Sequence, residues 1–154
     1  YYSLTGNTKF VAEKIAQQLD ADLCKVTDKN FKKGRMLYIK GGAAAMREKL
    51  SDITVEKSVD DYDLVVVGSP VWAGKIAPAI RTFLVNNDFS EKQVAFFVTI
   101  GGDKPEKTFK NLRKTTELDS AVEGLGVTQP LENKSDAEVQ ITEWCTKLKT
   151  KIKS

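Results

Sequence analysis

Two periods of apolar positions divide the chain. The continuous β-branched and aromatic runs Asp63-Leu-Val-Val-Val-Gly68 and Gln93-Val-Ala-Phe-Phe-Val-Thr99 read as central strands buried on both faces. Asp22 to Thr27 reads as another strand, and Val127 to Leu131 as a weaker last one. Elsewhere the period lengthens to that of a helix. Val11, Ile15 and Leu19 share one face, as do Ile76, Ile80, Phe83 and Leu84. The closing segment, from about Ser135 to Lys153, puts Ile141, Trp144, Cys145, Leu148 and Ile152 on a stripe, with Ser135 in the N-cap position. Residues Lys32 to Ile53 are irregular apart from a helix expected over Ala43 to Leu50. Strands alternating with helices predict an α/β fold around a parallel sheet covered on both faces.

The opening residues, Tyr1-Tyr2-Ser3-Leu4-Thr5-Gly6-Asn7-Thr8, form a hydroxyl-rich turn that runs into the amphipathic segment Lys9 to Leu19. Free N–H groups and the positive dipole end of a helix favour an anion such as phosphate. Ser3, Thr5, Asn7 and Thr8 add side-chain donors, and Gly6 permits close backbone approach. The competing reading is an ordinary capped helix, whose Ser, Thr or Asn satisfies its own first turn. A phosphate turn in an α/β sheet follows a strand, yet only Tyr1 and Tyr2 stand before this one, so further apolar residues are expected ahead of it.

Length and composition narrow the classes. At 154 residues and 41% hydrophobic content, one domain over residues 1–154 is expected. The apolar runs are strand-sized and no signal-peptide pattern is present, so a cytoplasmic location and no membrane association are expected. Histidine is absent, which removes the usual general base, the Ser-His-Asp and Cys-His arrangements and the commonest transition-metal ligand. Cys24 and Cys145 show no metal-ligand spacing, so no metal site is expected, and neither has an arginine six residues on, as a phosphatase loop needs. The nucleotide loop G-x-x-x-x-G-K-[ST] is missing at Gly41-Gly42, and Gly68-Ser-Pro-Val-Trp is not a G-x-S-x-G elbow. Chemistry in such a chain falls to a bound cofactor.

The net charge of +3 is uneven. Between positions 25 and 57 nine basic residues (25, 29, 32, 33, 35, 40, 47, 49, 57) face four acidic ones (28, 48, 52, 56). This is either a solvated face or a docking surface for an acidic partner or phosphorylated ligand. No aromatic residues interleave with the charges, so nucleic acid is not expected as a partner.

Three turns fall at the carboxyl ends of strands, where open parallel sheets bind ligands. Besides Ser3 to Thr8 these are Ser69-Pro70-Val71-Trp72-Ala73-Gly74 and Thr99-Ile100-Gly101-Gly102-Asp103. The first offers donors for a phosphate, the second a flat indole for a planar ring, and the third backbone amides for the edge of a heterocycle. Flavin mononucleotide (FMN) has this combination of parts.

The chain resembles the flavodoxins at these residues. Tyr1 to Ala12 matches their phosphate-loop pattern of aromatic, x, Ser/Thr, x, x, Gly, x, Thr, three residues, Ala, and the other two loops follow in the expected order. The resemblance implies a doubly wound sheet of five parallel strands in the order 2-1-3-4-5, with FMN bound noncovalently at one end. It implies that Ser3, Leu4, Thr5, Gly6, Asn7 and Thr8 hold the phosphate. It likewise implies that Ser69, Pro70, Val71, Trp72, Ala73 and Gly74 flank the ring, with Gly74 near flavin N5, and that Thr99, Ile100, Gly101, Gly102 and Asp103 meet the pyrimidine edge.

Departures matter too. No aromatic residue follows Thr99 before Phe109, so the outer ring face is open or covered by another residue such as Tyr38. The mildly basic balance contrasts with the acidic electron-carrier members. Two functions are therefore expected in order: an FMN electron carrier between redox partners, with acidic ones docking near residues 25–57, and an NAD(P)H-dependent FMN or quinone oxidoreductase of the same fold. The first loop lacks the arginine of the G-S-x-R type and the second lacks the Pro-x-Arg-Phe-Gly pattern of the flavin and quinone reductases, which favours the carrier.

Overall fold

A computed structural model of the chain describes residues 1–31, 43–45, 47, 49–102 and 104–152. Its elements are α1 (Asn7–Leu19), β1 (Val26–Asp28), β2 (Ile53–Val55), β3 (Leu64–Trp72), β4 (Lys75–Ile76), α2 (Pro78–Asn86), β5 (Gln93–Ile100), α3 (Pro105–Thr116), β6 (Leu125–Thr128) and α4 (Lys134–Ile152). Tyr38, Gly41, Gly42 and Asp103 lie outside the described residues. Of the helix expected over 43–50, residues 43–45 are helical and 49–50 are not.

The two continuous apolar runs do form the centre. β3 and β5 pair in parallel from Leu64↔Gln93 to Pro70↔Thr99, and β6 continues the parallel sheet from Phe97↔Leu125 to Ile100↔Thr128. Alternation on β5 splits the core as the pleat requires. Val94, Phe96, Val98 and Ile100 join Ile76, Ile80, Phe83 and Leu112 on the face covered by α2 and α3. Ala95 and Phe97 join Val11, Ile15, Val127, Ile141, Trp144 and Leu148 on the face covered by α1 and α4. Trp144 is core, as its stripe position predicts, and its indole donates to the Glu123 carbonyl at 2.7 Å.

The expected five parallel strands are met in part. Among the described residues the main sheet has the order β4-β3-β5-β6, with β4 antiparallel, and β1 and β2 form a separate antiparallel pair. Between them stand Tyr1 and Tyr2. Tyr2 N–H donates to Gly68 O at 3.2 Å, and Val26 N–H donates to Tyr1 O at 2.8 Å. Below this bridge, toward the amino end of β3, lies a cavity of about 580 Å³ lined by Ile15, Leu19, Leu23, Val65 and Phe83 among others. No residue of the three expected site loops lines it.

Several boundaries move. The strand expected over 22–27 is paired only at 26–28, and its partner β2 lies in the segment read as irregular. The last strand ends at Thr128, because Gln129 turns the chain with φ +42°. Ser135 lies inside α4 rather than capping it, and Asn133 O accepts Ala137 N–H at 3.0 Å. Among the described residues no helix is long and apolar enough to cross a membrane.

The Phe97 ring lies against the Gly68 backbone, where a Cβ would stand 2.0 Å from it. Gly68→Ala therefore forces an over-packed core and is expected to lower stability by about 1–3 kcal/mol. Urea unfolding followed by tryptophan fluorescence measures it.

Candidate functional site

The β3–β5 register carries the second and third loops to one end of the sheet, since Pro70 faces Thr99. The first loop joins them through a buried hydrogen bond of 2.8 Å between the hydroxyls of Thr8 and Thr99. Thr8 is 1% exposed, so this pair is sequestered from water and locks the start of α1 to the end of β5.

The opening turn is not a self-capped helix. The N-cap residue is Gly6, with φ +97°, and it provides no side-chain cap to α1. Ser3 Oγ is buried and has no hydrogen-bond partner, while Asn7 donates to Thr5 Oγ1 at 3.1 Å and accepts Leu131 N–H at 3.3 Å. A helix start without a side-chain cap and an unspent buried hydroxyl three residues before its N-cap are the chemistry of an anion cradle. Leu4 instead packs against the core cluster that holds Tyr2 and Ile80.

The second loop is a tight hairpin. Trp72 pairs with Lys75, and the two residues between them, Ala73 and Gly74, have φ +50° and +75°. Two positive φ values suit the right-handed twist of a two-residue hairpin, at a cost of about 1–2 kcal/mol for the alanine. Ser69 is 2% exposed, and its hydroxyl accepts Ala77 N–H at 2.9 Å and donates to Pro70 O at 2.9 Å. That hydroxyl braces the hairpin. Gly74 O accepts the Thr108 hydroxyl at 3.0 Å, tying the turn to α3. Val71 packs on the core.

Trp72 is half-buried and held edge-on by two rings, Tyr2 at 5.7 Å and Phe31 at 5.8 Å between centroids. The indole remains partly exposed to solvent, as a residue that stacks on a planar ring requires. In the third loop Ile100 is buried in the core, whereas Gly101 and Gly102 are exposed, and a Cβ on either would meet nothing within 4 Å. The rim of the site is open there.

Sequence reasoning missed Phe31 and Thr108. Phe31 precedes a basic stretch without periodicity, and Thr108 is one hydroxyl on a polar helix, so neither carried a sequence signal. Behind Trp72 the Tyr2 hydroxyl and Asp28 Oδ2 are buried without hydrogen-bond partners. Burial, and then the Asp28 charge, push the Tyr2 phenol from its ordinary 10.0 up to about 12. No group of three or more potential metal ligands occurs among the described residues.

With this geometry in view, the flavodoxin family model matches residues 1–148. The chain belongs to the flavodoxin family. Solved structures agree on the flavodoxin-like fold. A flavoprotein of Lactobacillus acidophilus in complex with FMN superposes with a TM-score of 0.70 at 26% identity, covering 88% of this chain and 93% of that one. A protein of Bacteroides eggerthii assigned to the flavoproteins gives 0.74 at 23% identity over 94% and 91%. The rubredoxin oxygen:oxidoreductase of Desulfovibrio gigas gives 0.56 at 16% identity, this chain covering 36% of it, so the flavodoxin fold also stands as part of a larger oxidoreductase. No curated protein sequence matches this one.

Two predictions follow from the braces. Removing the Thr108 hydroxyl by Thr108→Val frees the Gly74 carbonyl and is expected to cost about 1 kcal/mol in denaturant unfolding. The raised Tyr2 pKa favours the protonated folded state. Its contribution is complete below pH 10 and is lost as pH rises toward 12, because the unfolded chain releases the proton first. The stability difference between the parent chain and Tyr2→Phe should stay flat below pH 10 and fall above it.

Proposed function

We propose that this chain binds FMN across the three loops and carries electrons between redox partners. The observation that carries the reading is the uncapped start of α1 beside the unpartnered Ser3 hydroxyl, with the half-buried Trp72 on a loop tied to the same strand end. The dipole end of α1 suits a phosphate, and an indole suits a planar ring, so the residues present fit FMN at both ends. The FMN complex of the Lactobacillus acidophilus flavoprotein supports the same reading.

In this reading the Ser3 and Thr5 hydroxyls, the Asn7 side chain and the amides of Gly6, Asn7 and Thr8 hold the phosphate. Trp72 lies against the ring, Ala73 and Gly74 border its reactive edge, and Thr99 to Asp103 meet the pyrimidine edge through backbone groups. Ser69, Pro70, Val71, Leu4 and Ile100 set the backbone that presents these groups. The bridging bonds of Tyr1 and Tyr2 support the strand order 2-1-3-4-5, since those residues lie between the 24–26 segment and β3. FMN supplies reversible one- and two-electron transfer. The chain supplies binding, orientation and a ring edge left open at Gly101 and Gly102.

That open edge also favours a second reading, an NAD(P)H-dependent FMN or quinone oxidoreductase, because a nucleotide or quinone has room to approach. Anaerobic titration separates the two. A carrier is reduced by dithionite in two separated one-electron steps and is not bleached by NADPH. An oxidoreductase is bleached by NADPH directly, and a protein that retains no FMN after gel filtration overturns both. Trp72→Ala is expected to weaken FMN binding by about 1–3 kcal/mol, measured by fluorescence quenching, and an unchanged dissociation constant removes the indole from the site.

A further inference from the structure

We infer that the outer face of α3 is the surface on which an acidic protein partner docks, beside the open end of the site. Residues 104–114 hold Lys104, Lys107, Lys110, Arg113 and Lys114 against one acid, Glu106, so this one segment carries a larger positive charge than the whole chain's net +3. The lysines are ordered. Thr108 and Leu112 are buried on the core side, whereas Lys107, Lys110 and Lys114, spaced by three and four, share the opposite exposed face. At 1.5 Å per residue they form a strip about 10 Å long, and Lys104 extends it to about 15 Å at the rim of the third loop. That span suits one side of a standard protein interface of roughly 800 Å².

The strip is uncompensated. Among the described residues Lys104, Lys107, Lys110 and Lys114 have no ion-pair partner, and Arg113 only approaches the exposed Asp119 at 3.9 Å. In the basic segment at 25–57, Lys29 pairs with Asp52 at 3.1 Å and Lys57 with Asp22 at 3.3 Å, while Lys25, Arg47 and Lys49 have no ion-pair partner among the described residues. Placement distinguishes the two segments. α3 begins three residues after the exposed Gly102, and its Thr108 is bonded to the hairpin turn at Gly74. An acidic surface drawn to the strip therefore lands beside both loops that the proposed function gives to the ring. Like charges aligned on one face steer such an encounter while adding little to the stability of the fold.

This inference rests on the electron-carrier reading, and one experiment tells the two apart. An acidic plant-type [2Fe–2S] ferredoxin, in its oxidised form, is titrated into the 15N-labelled protein at about 10 mM ionic strength, where charges act over about 30 Å. Amide shifts confined to residues 99–116 are expected, removed in Lys107→Glu/Lys110→Glu/Lys114→Glu and roughly halved in the glutamine counterpart. Stopped flow then follows one electron passing from the reduced ferredoxin cluster to the oxidised FMN-loaded protein, with no bond made or broken. The reversed variant should be about 10–100-fold slower at low salt, and the difference should vanish near 0.5 M salt.

A control with the same charge change, Lys147→Glu/Lys149→Glu/Lys151→Glu near the far end of α4, should leave the rate within about twofold. Shifts mapping elsewhere, or equal slowing by the α4 control, overturn the docking surface. Correct mapping without retention of FMN keeps the docking surface and overturns the carrier.

Discussion

Everything at the ligand end depends on the parallel pairing of β3 with β5. Seven residue pairs in register fix where each strand stops, and the stops bring Pro70 and Thr99 side by side. Gly68 allows the Phe97 ring to lie across β3 within the distance that any side chain would occupy, so the pairing is tight as well as registered. A slip of one residue would turn the buried set of β5 inside out and move the third loop away from the second. The Thr8–Thr99 hydroxyl pair then transfers this register to α1, so the anion cradle is placed by the sheet rather than by its own turn.

The centre of the fold was legible because β3 and β5 are packed from both faces, so their sequences run apolar over Leu64–Val67 and Val94–Val98, a pattern that survives in sequence. The helical stripes of α1 and α4 were legible for the related reason that each buries one side, whereas α2 is buried all round from Pro78 to Leu84. α3 was not read: its apolar side amounts to Thr108, Phe109 and Leu112 in an otherwise charged, strongly polar segment. β2 escaped, and β1 was read with shifted bounds, because three-residue strands give little room for alternation. The five-strand picture came from resemblance, and the described sheet realises it as three parallel strands, an antiparallel hairpin arm and the two-residue bridge at Tyr1 and Tyr2.

The site divides along the same line. Which loops converge was readable, since loops at the carboxyl ends of neighbouring parallel strands have to meet. What each side chain does there was less so. Ser69 sat in a candidate motif, yet its hydroxyl is committed to Ala77 and Pro70. Leu4, Val71 and Ile100 belong to the core, and only their backbone faces the loops. Conversely, Phe31 and Thr108 hold Trp72 and Gly74 in place through contacts between distant parts of the chain, which no local pattern encodes.

The Tyr2 phenol has a consequence beyond stability. In a chain without histidine no side chain ordinarily changes charge between pH 5 and 8, and burial moves Tyr2 to about 12 and the Cys145 thiol to about 11, further from that window. The described side chains around Trp72 thus offer no proton relay at neutral pH. On the FMN-carrier reading proposed above, a proton taken up with an electron would come from water over the exposed Gly101 and Gly102 rather than from Tyr2 or Cys145, and acidity effects in that range would belong to the cargo, not to its carrier.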